Sequence, residues 1–106
     1  MALTRDFKAT LKARADGDPA FRAALLSDAI ELLLAGDLDT GKIVLRNFIK
    51  ATVGFESLAT LSGLPAKSLM RMFGPKGNPT AASLFTVISA LQKATGVQLE
   101  VTADAA

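Results

Sequence analysis

The chain has 106 residues, of which 50% are apolar and 21% are charged, so it is long and apolar enough for one folded domain with a hydrophobic core. It contains neither cysteine nor histidine, which excludes disulfides and thiolate ligands and argues against metal-dependent or nucleophilic catalysis. We therefore expect no cofactor and no enzyme, and the net charge of only +2 does not by itself predict nucleic-acid binding. Because no segment approaches the roughly 20 apolar residues of a membrane span and no signal-peptide pattern is present, we expect a cytoplasmic protein without a membrane partner.

The first helix is predicted from apolar positions that recur every four residues: Leu3, Phe7 and Leu11. Basic side chains occupy another face of the same helix: Arg5, Lys8 and Lys12. We interpret this basic stripe as a solvated face rather than as a contact to phosphates. The helix is expected to end near Asp16-Gly17.

The second helix is predicted to begin at Asp18-Pro19, because Asp caps free backbone N–H groups and Pro suits the first helical position. We expect it to run to Ala35 and to close at Gly36. Its apolar positions are widely spread, which predicts burial on more than one side of the helix: Phe21, Leu25, Ile30, Leu32, Leu33 and Leu34.

A third helix is predicted to begin after Asp37, which can cap its N-terminus. It carries an apolar stripe at helical spacing: Val44, Leu45, Phe48 and Ile49. Asp37 and Asp39 are two carboxylates close in sequence, and we attribute them to helix capping rather than to acid–base catalysis. The next break is expected at Val53-Gly54.

Three further helices are predicted over residues 55–62, 65–73 and 80–95. Gly63 separates the first two of them. The loop GPKGNP follows the second, because two prolines and two glycines in six residues cannot continue a helix. Thr80 is expected to cap the last helix and Gly96 to end it.

The last segment alternates apolar and polar residues from Val97 to Val101, which predicts a short β-strand. A single strand needs a partner, and the same segment of a second copy would supply one in an antiparallel pair across a two-fold axis. The alternative is an extended tail that packs on the core of its own chain.

The helices over 55–62 and 65–73 have the spacing of a helix-turn-helix, in which the first helix braces the second, and the second enters the DNA major groove. Ala59 provides a small side chain where the helices touch, and Gly63 provides a left-handed residue in the turn. Four side chains are spaced to be buried between the helices: Leu58, Leu64, Leu69 and Met72. The alternative from spacing alone is an ordinary helical hairpin with a solvated face.

This arrangement leaves the second helix and the following loop with a set of candidate DNA-binding residues: Ala66, Lys67, Ser68, Met70, Arg71, Lys76 and Asn78. Arg71 can bind guanine through two hydrogen bonds, while Lys67 lies one turn earlier and suits phosphate or a single acceptor. For Ser68 a plain surface role is the alternative, and for Lys76 and Asn78 it is solubility and turn formation in the loop.

Four short motifs are distinctive: RDFK, the TVGFE run, PAKSLMRM and the GNP loop. With them, nearly the whole chain resembles HigA-type addiction-module antidote proteins of the lambda-repressor-like helix-turn-helix class. The resemblance implies a small DNA-binding antitoxin that represses its own operon and is encoded beside a RelE-like ribonuclease toxin. One departure is Phe55, which stands where many lambda-repressor-like domains begin the bracing helix with a phosphate-binding Gln.

Together these observations predict an all-α, lambda-repressor-like domain of five to six helices with a short C-terminal strand. The expected organisation is a single domain over 1–106, with N-terminal helices in 1–53, a helix-turn-helix core in 54–96, and a strand at 97–101 that makes a dimer contact. We expect a homodimeric repressor that binds double-stranded DNA, with a RelE-like toxin as a further partner. The alternatives are a module that acts mainly by occluding such a toxin, and a prophage-type regulator without one.

Overall fold

In the computed structural model, which describes residues 5–105 and the side chains from Thr10 onward, the chain forms six helices and no strand. Leu3, predicted on the first helix, lies outside the described residues, and so do the side chains of Arg5, Phe7 and Lys8. None of these six helices combines the length and the apolar content that crossing a membrane requires. The all-α prediction is confirmed, with these bounds: α1 Arg5–Gly17, α2 Pro19–Leu34, α3 Leu38–Ala51, α4 Gly54–Ser62, α5 Ala66–Met72 and α6 Ala81–Thr95.

Three side chains cap helix N-termini at the positions predicted from the sequence. Asp18 accepts a hydrogen bond from the Phe21 N–H, and Asp37 accepts one from the Thr40 N–H, each at 3.1 Å. The Thr80 hydroxyl accepts the Ser83 N–H at 3.1 Å. Each bond satisfies a backbone donor that the first turn of a helix leaves unpaired, so these caps define where α2, α3 and α6 begin.

Helices α1, α2 and α3 pack against one another. Gly41 allows close approach of α2 and α3, since a Cβ at this position would lie 2.6 Å from a methyl carbon of Leu33. The prediction that α2 is buried on more than one side is wrong: only Leu26 and Ala29 are buried, and Leu34 is 80% exposed. The helices that make the main contacts with α2 are α1 and α3, and they leave Leu34 uncovered.

The buried side chains of α2 to α6 form one continuous cluster. Phe48 and Ile49 of α3, Leu58 of α4 and Leu69 of α5 are fully buried within it. Val87 and Leu91 of α6, which packs against α4, belong to the same cluster. Helix α5 is therefore held by a core that extends into the N-terminal helices, rather than by its own seven residues.

The strand predicted over Val97 to Val101 does not form. Gly96 ends α6 in a left-handed conformation, with φ of 72°, and the following residues have no regular secondary structure. Val97 is buried and Leu99 is half-buried, its N–H donating to the Gln92 side chain at 2.8 Å. No second strand lies beside it in residues 5–105, and Val97 and Leu99 pack on the core of their own chain, as the alternative of a packed tail predicts.

Candidate nucleic-acid interface

Helices α4 and α5 are joined by the tight turn 63–65. Gly63 has φ of 76°, in the left-handed region, and its N–H donates to the Ala59 carbonyl at 3.0 Å. The Ser62 hydroxyl accepts the Leu64 N–H at 3.2 Å. These two bonds and the left-handed glycine end α4 and redirect the chain into α5 within three residues.

Helix α5 presents one face to the core and the other to solvent. Leu69 is buried as predicted, whereas Leu64 and Met72, also predicted to be buried, are half-buried and pack against the core. Four of the candidate residues on this helix are exposed: Lys67, Ser68, Met70 and Arg71. The fifth, Ala66, is half-buried at the start of the helix. Lys67 and Arg71 are one helical turn apart on the exposed face, where their charges can reach a ligand together.

The loop 73–79 follows α5 and carries the remaining candidates. Lys76 and Asn78 are both exposed. Gly74 and Gly77 close a turn, since the Gly77 N–H donates to the Gly74 carbonyl at 3.0 Å. All seven predicted residues thus lie on α5 or on the loop that leaves it, within a continuous stretch of the chain.

Lys42 of α3 ties this loop to the N-terminal helices. Its side chain is buried, with a residue exposure of 5%, and it is the one charged residue buried among those that the structure describes. The ammonium donates to the Gly77 carbonyl at 2.6 Å and to the Gly74 carbonyl at 3.3 Å. Asp39, exposed on the preceding turn, is 4.0 Å from the same ammonium. Lys42 therefore positions the loop that carries Lys76 and Asn78.

Gly77 brings the loop against the end of α5. A Cβ at this position would clash with the carbonyl oxygens of Arg71 and Met72. Backbone and carbonyls meet so closely only because glycine has no side chain. The loop conformation thus depends on Gly77 for space and on Lys42 for hydrogen bonds.

Sequence reasoning missed Lys42, although its spacing carries a signal. Lys42 falls on the same helical stripe as Leu38, Leu45 and Ile49. A charged residue on a core-facing stripe needs polar partners in the interior. The GPKGNP loop has backbone carbonyls available for such pairing, but the contact joins residues 32 and 35 positions apart, which helical periodicity does not relate.

The segment that contains α5 and its loop carries charges of one sign only. Between Glu56 and Glu100 there is no acidic residue, and there are four basic ones: Lys67, Arg71, Lys76 and Lys93. Three of the four lie on α5 and its loop. A surface that concentrates positive charge in this way attracts polyanions, even though the net charge of the whole chain is small.

No family model, curated protein or solved structure matches this chain. The candidate interface is therefore defined by geometry and charge: a short exposed helix that follows a tight turn, braced by a buried core and flanked by an anchored basic loop.

Proposed function

We propose that this chain is a sequence-specific DNA-binding repressor in which α4 and α5 form a lambda-repressor-like helix-turn-helix. The observation that carries the proposal is the exposed face of α5 and its loop, whose charged residues are all basic, on a helix whose opposite face is fixed in the core. A rigid helix with an exposed side is what entry into the major groove requires, because that groove is wide enough to admit one α-helix.

In the proposed complex Arg71 reads a guanine, since a guanidinium can donate to its O6 and N7 together. Lys67 contacts phosphate, and Lys76 and Asn78 contact the DNA backbone from the loop. Ala66 and Met70 offer apolar contact to base edges, and Ser68 a hydroxyl. The positions of Lys76 and Asn78 depend on the loop bonds of Lys42.

Two copies are part of the proposal. One chain brings only a few cations to the DNA, so a single copy neutralises few phosphates and binds weakly at physiological salt. A homodimer would place two α5 helices in successive major grooves, with half-sites about 34 Å apart. The symmetric arrangement doubles both the phosphate contacts and the bases that are read.

The finer assignment is an antitoxin that represses its own operon and binds a RelE-like toxin, which rests on the resemblance of the sequence motifs. A prophage-type regulator without a toxin is the alternative when no toxin gene is adjacent. A second candidate function, occlusion of a toxin as the main activity, is favoured by the exposed apolar side chains on the N-terminal helices: Leu34 of α2 and Ile43 of α3. Co-purification of the product of a neighbouring toxin-type reading frame, lost in the variant Ile43→Asp, would support this second function.

An anisotropy titration tests the proposed DNA binding. The label is placed on the DNA, since the chain has no Trp or Tyr, and DNA from upstream of the gene is compared with scrambled DNA at several salt concentrations. Arg71→Ala should cost about 1–3 kcal/mol on the preferred DNA and much less on scrambled DNA. Lys67→Ala should weaken binding to both DNAs and reduce the salt slope by about one.

The matched control is Lys12→Ala, which removes an exposed lysine paired with Asp16 on α1. It should leave both affinities unchanged. Equal losses on the two DNAs for Arg71→Ala would refute its role in base recognition, and equal affinity of the unmodified chain for both DNAs would refute sequence-specific binding.

A further inference from the structure

An open groove runs between α4 and α6, on a surface that the proposed DNA contacts do not use. Its volume is about 440 Å³. Leu61 of α4 and Phe85 of α6 line it, and they are 56% and 66% exposed. Lys93, in the last turn of α6, is the one charged residue of this lining. Two large apolar side chains exposed on one groove favour an interaction surface, because burying them releases ordered water.

The C-terminal tail, residues 100–105, carries the complementary groups. Val101 is 94% exposed, and the two charged residues of this segment, Glu100 and Asp104, are both acidic. The chain is held to its own core only as far as Leu99, through the bond of its N–H to Gln92. An exposed apolar side chain between two carboxylates thus matches an apolar groove with one lysine in its wall.

The tail of the same chain does not occupy the groove, since no residue after Lys93 lines it. The chain leaves α6 at Gly96 and passes the side chain of Gln92, which is about 100° around the helix from Lys93. Residues 100–105, when extended, span about 20 Å, so they can follow the α6 segment from Ala82 to Lys93, which spans about 16 Å.

We propose that the C-terminal tail of each copy lies in the α4–α6 groove of a second copy. Val101 then packs between Leu61 and Phe85, and the carboxylate of Asp104, about 10 Å further along the extended tail, lies near Lys93. The exchange is reciprocal, so two identical contacts are related by a two-fold axis, as in most dimers. This inference rests on the homodimer of the proposed function and identifies the contact that joins its two copies.

Sedimentation equilibrium of the full chain without DNA tests the proposal. Val101→Asp and Phe85→Ser should each raise the dimer dissociation constant by about tenfold or more, because each removes an apolar anchor. Ile43→Ser is the matched control: Ile43 is 58% exposed on α3, outside the groove, and its variant should dimerise as the unmodified chain does. All the altered side chains are exposed, so thermal unfolding should confirm that each variant folds.

Charge-reversal variants test the predicted ion pair between the tail and the groove directly. Lys93→Glu should weaken the dimer, and combining it with Asp104→Lys should restore the dissociation constant of the unmodified chain. Pairing of two tails with each other would make the dimer sensitive to Val101→Asp but not to Phe85→Ser or Lys93→Glu, and this outcome overturns the proposal. A full chain that stays monomeric at all concentrations also overturns it.

Different results would refute the tail exchange and the DNA-binding function. A monomer that still prefers the upstream DNA would overturn the tail exchange and the homodimer, and leave sequence-specific DNA binding by one copy standing. A dimer that responds to the groove variants as expected, but binds upstream and scrambled DNA equally, would overturn the DNA-binding function alone.

Discussion

Replacing Lys42 with Met should destabilise the fold, although it exchanges a buried charge for an apolar side chain of similar length. The ammonium of Lys42 is the donor for two loop carbonyls, Gly74 and Gly77, at 3.3 and 2.6 Å. Met offers neither a donor nor a charge. The variant therefore releases the loop from α3 while filling most of the space that the lysine stem occupies.

The expected size follows from the two bonds. A hydrogen bond from a charged donor contributes about 1.5–3 kcal/mol, and the short bond to Gly77 carries most of it. In the variant the Gly74 carbonyl still accepts a hydrogen bond from the Gly77 N–H at 3.0 Å. Only the Gly77 carbonyl therefore loses its protein donor. Removing a buried ammonium also removes its desolvation cost, which offsets part of the loss. We expect a net fall of about 2–3 kcal/mol in the free energy of unfolding, or roughly 10–20 °C in Tm.

Urea unfolding followed by far-ultraviolet circular dichroism measures this change. Lys12→Met is the control, because it removes an exposed lysine whose ion pair with Asp16 contributes at most about 1 kcal/mol. A free energy of unfolding for Lys42→Met within about 0.5 kcal/mol of the unmodified chain would refute the anchoring role of Lys42.

Three further substitutions test the loop, the turn and the core by thermal and urea unfolding. Gly77→Ala should cost about 1–3 kcal/mol, because its methyl group clashes with carbonyl oxygens at the end of α5, whereas Gly17→Ala, with nothing within 4 Å, should be neutral or slightly stabilising. Gly63→Ala should cost about 1–2 kcal/mol despite the open space around it, because its φ of 76° strains any residue with a Cβ. Leu58→Ala should cost about 2–5 kcal/mol, since Leu58 is fully buried, and Leu34→Ala, on an exposed side chain, should cost much less.

The helices and their ends could be predicted because local chemistry determines them. Asp18, Asp37 and Thr80 cap helices through bonds that span three residues, and such bonds are visible in sequence spacing. The left-handed glycines at the ends of α4 and α6 follow from equally local backbone sterics. The exposed side of α5 was predictable for the same reason, because the helical spacing of Leu69 and Met72 determines which side of the helix faces the core.

The failed predictions concern features that depend on distant parts of the chain. The alternation from Val97 to Val101 has the period of a strand, but a strand requires a partner, and periodicity does not provide one. The burial of α2 depends on how many helices pack beside it, which its own composition does not reveal. Lys42 lies on a core-facing stripe, yet its acceptors are 32 and 35 residues away.

Selection of preferred duplexes from a random-sequence DNA library, by the unmodified chain and by Arg71→Ala, tests most directly whether α5 reads DNA. We expect the unmodified chain to enrich a symmetric site with half-sites about 34 Å apart, and Arg71→Ala to lose preference at one guanine in each half-site. A pool without a shared motif, or a motif that Arg71→Ala leaves unchanged, would contradict base recognition by this helix.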